Sequence, residues 1–314
     1  MTPLLRALVR YGYVPFMILG MNATAYFVVA NGHSYVWLLP LLAITLGTAF
    51  FAERILPVHE EWNEPHGDEA ATVWHAIVYE LSNTVGILMI PLVAFLLHPY
   101  PGEQLTSLWP REWPIWAQLM VALVVGDFAF TLIHYLSHRW STLWRLHAVH
   151  HGVTRLYGFN GFVRHPLHQM LDMAIGSAPL ALAGMPVPVA ALLGFAVSVQ
   201  LVVQHSNVDY ELGPFRNVLS VGRIHHLHHV NWGKEGDVNF GLFLTLWDRL
   251  LGTFQAEPPR PITANDMGID DIPDFPKNYS EHLAFPVRYK PGSAAAAERA
   301  AQSGDLGSGL RSSS

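Results

Sequence analysis

Four stretches of this chain run without charge, or with a single charge, for about the length a helix needs to cross a bilayer. That feature limits what it can fold into more than any other. Tyr11 to Ala30 and Tyr35 to Ala52 carry no Asp, Glu, Lys or Arg; Ala71 to Leu97 carries Glu80; Ile115 to Ile133 carries Asp127. About 20 apolar residues span the hydrocarbon layer as helix, and a backbone there must satisfy its own hydrogen bonds. From Met170 to Gln204 the chain is apolar again, broken by Gly184-Met185-Pro186-Val187-Pro188, which predicts a hairpin of two shorter helices. The expected fold is an all-α integral membrane protein with about four transmembrane helices, a helical hairpin and a cytosolic helical cap. Three segments are expected: 1–114 with the first helices and their loops, 115–256 with most of the histidines, and a tail, 257–314. The tail turns Ala-, Gly- and Ser-rich and is expected to be largely disordered from about Lys290. The first apolar run follows Arg6 and Arg10 and has no clear small-residue cleavage site, so it reads as a retained helix.

Composition narrows the function. Charged residues make up 13% of the chain, about half the share usual in soluble domains. A net charge of −6 excludes a strongly basic nucleic-acid binder. With no cysteine there is no disulfide, thiolate zinc site or iron–sulfur cluster, so any metal must take nitrogen or oxygen ligands. The 18 histidines equal Lys and Arg together. Arg6 and Arg10 precede the first run and Arg139, Arg145, Arg155 and Arg164 follow the fourth, whereas between the third and fourth stands Arg111 alone. The positive-inside tendency therefore predicts a cytoplasmic N-terminus and cytoplasmic histidine regions, as does the even number of crossings.

The histidines come in groups: His134 and His138; His147, His150 and His151; His225, His228 and His229. Helix positions three or four apart share a face, so each group can aim its imidazoles at one point. Eight ligands exceed the four to six that one first-row metal takes and suit two metals. An interfacial or merely hydrogen-bonded role would explain a single histidine; three groups of repeated spacing on one predicted membrane face weigh against it. Imidazole suits iron, zinc and copper alike, so these residues alone leave the metal open.

These groups resemble the three histidine boxes of the fatty acid hydroxylase/sterol desaturase superfamily, integral membrane di-iron enzymes. Trp144-Arg145-Leu146-His147 is similar to the start of its second box, and Arg164-His165-Pro166 to a His-Pro element. His205-Ser206-Asn207-Val208-Asp209 is similar to the segment before the last box, and Asn239-Phe240-Gly241 with Trp247-Asp248 to Gly252-Thr253 to its closing signature. The likeness covers about Asp127 to Phe254. It implies two iron ions (zinc in a purified form), dioxygen as cosubstrate and hydroxylation or desaturation of a lipid C–H bond, with hydroxylation favoured. It also implies His165 and His205 as further ligands, and electrons from an external ferredoxin- or cytochrome b5-like protein with its reductase. Sterols, acyl chains, alkylglycerols, ornithine-type and carotenoid-like lipids stay open as substrates. Two positions depart from the pattern: His168 after the His-Pro element, and His226 inside the last box, whose side chain is expected to point away from the ligand face.

Around the ligands, Asp127 lies seven residues before His134 and Asp209 four after His205. Both, with Asn239, are candidates for orienting imidazoles; an acid within a crossing helix is costly and usually functional. Arg145, Arg155 and Arg164 are candidates for a lipid phosphate or carboxylate. Glu80 and Asn83 could line the substrate cavity or join helices. Trp109, Trp113, Trp116, Trp140 and Trp144 are expected in interfacial belts. The acidic loop after the second run, or the basic surface from Arg139 to Arg164, could dock the electron donor. The competing readings are a metal-binding or metal-transport membrane protein and a bis-histidine haem protein. Both need ionisable or histidine residues distributed through the crossings, which are nearly free of them.

Overall fold

The computed structural model describes residues 2–97 and 108–289; the tail from Lys290 lies outside them. Thr2 caps α1 (Pro3–Val14), its hydroxyl accepting from the Leu5 N–H at 3.4 Å. Pro15 has no N–H to continue the ladder, and there the helix widens into a π-helical stretch, Pro15–Met21, before α2 (Asn22–Ala30). Together they form one span of 28 residues. A 3-10 turn, Tyr35–Trp37, capped by Ser34, leads into α3 (Leu38–Ile55). There follow α4 (Glu69–Leu97), α5 (Ile115–Arg139), α6 (Ser141–His151), α7 (Pro166–Leu182) and α8 (Val187–His205). The chain turns between α7 and α8 at Gly184, whose φ of +93° suits a residue without Cβ. Short helices α9 (Arg223–His228) and α10 (Leu246–Leu251) and a C-terminal α11 (Tyr279–Arg288) complete the set. Among the described residues the only β pairing is isolated bridges.

Among the described residues the protein is all-α, with four helices long and apolar enough to cross a membrane: Pro3–Ala30, Tyr35–Ile55, Ile115–Arg139 and Val187–His205. The expected third run lies on the 29-residue α4. The hairpin is present as α7 and α8, but α8, at 19 residues, is long enough to cross, where the sequence pattern suggested a shorter helix. Leu19, Phe27, Leu39, Phe51, Trp116 and Phe128 are exposed, as a surface solvated by lipid requires.

Helix α8 is the axis of the fold. It is buried from Val189 to His205 because α2, α3, α4, α5 and a 3-10 segment, Gly158–Phe162, surround it. That segment approaches so closely that a Cβ on Gly161 would stand 2.6 Å from the Leu201 carbonyl oxygen. A second, smaller core lies beyond the helix ends, where Trp144, Val149, Leu227, Met267, Phe275 and Phe285 pack into a cap. The buried Glu53 joins the layers by accepting from the N–H groups of Gly158 (2.8 Å) and Asn207 (3.1 Å). Trp113, Trp116 and Trp140 are exposed, as an interfacial belt requires, but Trp109 and Trp144 are buried. Trp109 donates to Gln118 Oε1 at 2.6 Å, and Trp144 stacks its edge on His138 at 5.1 Å.

Candidate metal centre

Helices deliver nearly all the imidazoles, at the ends where α5 and α8 reach the cap. His134 and His138 end α5, His147, His150 and His151 end α6, His205 ends α8, and His225 and His228 lie on α9 with His229 just after it. The three groups expected from spacing converge, together with His205, into two nests. His134, His138, His147, His151 and His228 form one; His150, His205, His225 and His229 form the other; within each, the ligand atoms lie within 4.8 Å of one another. The nests adjoin, with the His151 ring stacked on that of His229 at 4.6 Å.

The nitrogens that meet are Nε2. His138 and His151 approach to 3.2 Å, His147 and His151 to 3.1 Å, His205 and His225 to 3.1 Å, and His225 and His229 to 3.1 Å. Two nitrogens that each stand about 2.1 Å from one metal ion are roughly 3.0–3.4 Å apart. On five of the nine imidazoles the outer nitrogen is held by an acceptor, while His147, His225 and His229 have a buried Nδ1 without one. His134 Nδ1 donates to the Phe240 carbonyl (2.8 Å), His150 to Val163 (3.0 Å), His205 to Leu201 (2.8 Å) and His228 to Val238 (2.8 Å). His138 Nδ1 donates to the Asp237 carboxylate at 2.9 Å. A carbonyl only accepts, so each of these Nδ1 atoms carries the proton and each Nε2 presents a bare lone pair. His150 and His205 therefore face each other with two lone pairs at 3.3 Å. Burial first, and neighbouring imidazoles second, hold the pKa values of His147, His150, His151, His225, His228 and His229 well below 6.5, so charging one is not the remedy. His134 Nε2 and His228 Nε2 are buried without a partner. A buried cage of converging lone pairs fits a cation, and neutral imidazole fits iron.

Several expected residues stand elsewhere. His165 is not in a nest: its Nδ1 accepts from the Leu167 N–H, capping α7, and its Nε2 donates to the Leu283 carbonyl, both at 3.2 Å. His168 is beside a nest, its ring 4.7 Å from that of His147, its Nε2 on Ser137 Oγ (2.9 Å) and its Nδ1 3.2 Å from Asp172. His226 points away from the nests, as expected, but is buried, 5.6 Å from the Trp62 ring. Asp127 touches no imidazole; it accepts from the N–H groups of Phe243 and Leu244 at 2.8 and 3.1 Å. It thereby steadies the loop whose Phe240 carbonyl holds His134. Asp248, within the closing signature, does the same for Phe240 N–H and Gly241 N–H at 2.7 and 2.8 Å. Asp209 pairs with Arg10 and Arg223, not with His205. Asn239, at a φ of +58°, donates to the Ile224 carbonyl and so ties the loop to α9. Arg155 is committed to Asp68 and Glu69, both at 2.8 Å, and to the Glu64 carbonyl, so it is not a lipid anchor. Glu80 joins helices, accepting from Ser198 Oγ at 2.7 Å, while Asn83 lines a cavity. Asp237 was missed: it sits in a polar loop with no spacing to a box, and only folding brings it to His138.

A cavity of about 730 Å³ between α4, α5, α7 and α8 reaches both nests, with His134 and His225 in its wall. Much of the rest of the wall is apolar, including Met89, Met173, Leu193 and Val197.

Comparison with known proteins agrees with this geometry. The fatty acid hydroxylase family model matches residues 119–253. An ornithine lipid hydroxylase of Rhizobium tropici is 31% identical over 270 residues, which cover 85% of this chain and 80% of the relative. Alkylglycerol monooxygenase of Danio rerio is 29% identical over 49% of this chain and 33% of its own length. Sphinganine C4-monooxygenase 2 of Arabidopsis thaliana is 29% identical over 44% and 54%. No solved structure matches.

Proposed function

The chain belongs to the fatty acid hydroxylase family, and from that membership and the two nests we propose that it is a membrane oxygenase that hydroxylates a C–H bond of a lipid. The observation that carries the metal requirement is the pair His150 and His205, whose unprotonated Nε2 atoms face each other at 3.3 Å in a buried pocket. His134, His138, His147, His151 and His228 would hold one iron ion and His150, His205, His225 and His229 the other. Two irons would supply the activation of O2, with two electrons and two protons, by which one oxygen atom enters the C–H bond and the other leaves as water. The protein's own residues do the rest. The carbonyls of Phe240, Val163, Leu201 and Val238 and the Asp237 carboxylate fix imidazole tautomers and orientation. Asp127 and Asp248 keep the Phe240 loop in register. The cavity admits a lipid from the bilayer and keeps water from the reacting carbon.

The relatives named for ornithine lipids, alkylglycerols and sphinganine support a polar lipid as substrate, and the ornithine lipid hydroxylase, matched over most of its length, makes that class the first to test. Electrons come from an external donor protein. The nests and the N-terminus face the cytoplasm, as the arginine placement argues. The test is to express the chain in cells that make an ornithine lipid, supply labelled O2, and assay both metal content and lipid mass. Two irons per chain and one labelled oxygen atom in the lipid are expected. A folded chain without metal, or lipid unchanged beside metal-loaded protein, would overturn the reading.

A further inference from the structure

The cavity is not evenly lined, and helix α8 gives its axis. Gln204, next to His205, and Ala190 both line it, and the helix between them rises roughly 20 Å. Gln204 and the Arg164–Asp172 pair line it beside the nests, whereas Met185, Ala190 and Leu193 line it at or just before the start of α8, and Ser82, Asn83 and Ser177 also stand in its wall. The ion pair of Arg164 and Asp172 is close to the His134 nest: Asp172 lies 3.2 Å from His168, whose ring is 4.7 Å from that of His147. Asp172 engages Arg164 through Nη1, and among the described residues no acceptor pairs with Arg164 Nη2, the other end of a guanidinium that stands in the cavity wall. A guanidinium N–H left without an acceptor in a cavity wall is a donor for a ligand oxygen.

Resting on the oxygenase reading, we infer that Arg164, braced by Asp172, binds a carboxylate or carbonyl oxygen in the polar head of the lipid. The carbon presented to the nests then lies in the head or directly next to it. The tail fills the apolar end. The reverse orientation would bury a polar head among Met185, Ala190 and Leu193 without a charged partner. Arg164 is thus a specificity residue: it sets which lipid is held and which carbon faces the metals, without contact with either nest being required.

Binding and product position test this separately. Three probes share one chain length: N-acylornithine, the N-acyl diamine without the carboxylate, and the N-alkyl diamine without carbonyl or carboxylate. Their affinities are measured on the purified protein in nanodiscs. Arg164→Gln should weaken N-acylornithine about tenfold, as for loss of a charge-assisted hydrogen bond, and leave the N-alkyl diamine unchanged. A matching loss for the N-acyl diamine assigns the carbonyl; none assigns the carboxylate. Because Arg164→Gln strands the buried Asp172, the double variant Arg164→Gln/Asp172→Asn repeats the measurement with neither charge, and Arg164→Lys should restore part of the affinity. Equal losses for all three probes, or no loss for any, would sink the proposal. In the product of the unmodified enzyme, fragmentation should place the new oxygen on the head or on a carbon bonded to it; oxygen farther along the tail overturns the orientation. Tight binding with no oxygenated product would remove the oxygenase reading while the affinity series still decides Arg164.

Discussion

At the scale of single residues, the chemistry follows from which nitrogen of each histidine is held. His150 and His205 each spend Nδ1 on a backbone carbonyl, which leaves each Nε2 lone pair available to a cation. His205→Ala or His150→Ala should leave about half the metal of the unmodified chain, read by elemental analysis of purified protein; full metal content would contradict the two-nest assignment. Asp237 is the one carboxylate bonded to a nest imidazole among the described residues, and Asp237→Asn keeps an acceptor for His138 while removing the charge. Metal affinity should fall by roughly 10- to 100-fold, seen in competition with a chelator. The pH dependence has a definite sign. The imidazoles of the second and third groups are held below 6.5. Above that value they are neutral in both folded and unfolded chains, and stability is at its full value. As pH falls below it, the unfolded chain takes up protons that the folded one refuses, costing up to about 1.4 kcal/mol per pH unit per histidine. The Tm of metal-stripped protein should therefore drop on going from neutral pH to below about 6, and a flat profile would contradict the neutral nests.

At the scale of elements, the nests depend on segments that contain no ligand. The loop from Asn239 to Leu244 hangs from Asp127 on α5 and Asp248 on α10, and its Phe240 carbonyl holds His134. Asp127→Ala strands two backbone N–H groups, at about 1–3 kcal/mol for each that stays dry. A lower Tm is expected, together with metal loss from the His134 nest before the other. Asp127→Asn, which keeps an acceptor oxygen, should lose less. The 3-10 segment Gly158–Phe162 seats on α8 through Gly161, where an added methyl would meet backbone at 2.6 Å. Gly161→Ala should destabilise by about 1–3 kcal/mol and shift the Val163 carbonyl off His150, with thermal stability and metal content falling together.

At the scale of the whole molecule, the helices carry imidazoles to one end, where the cap closes over them, and leave a cavity between α4, α5, α7 and α8. The chain has no cysteine, so single cysteines report its topology. Thr142→Cys, at the exposed start of α6, should react with an impermeant maleimide only from the cytoplasmic side. Asn31→Cys, between α2 and α3, should react only from the other; the reverse pattern would invert the proposed orientation. By itself the sequence determined that the chain crosses a membrane, because long uncharged runs have no other stable home. It also marked which histidines share a helix face, because a spacing of three or four residues repeats on any helix. It misjudged His165, whose two nitrogens are consumed by a cap and a carbonyl, and Arg155, drawn off by the acidic loop. It gave Asp209 to an imidazole when two arginines hold it. Those outcomes, the partition of nine imidazoles into two nests, and the meeting of Asp237 with His138 were decided by tertiary structure. Each depends on which atoms of distant segments come within hydrogen-bonding distance, and spacing along one helix carries no information about that.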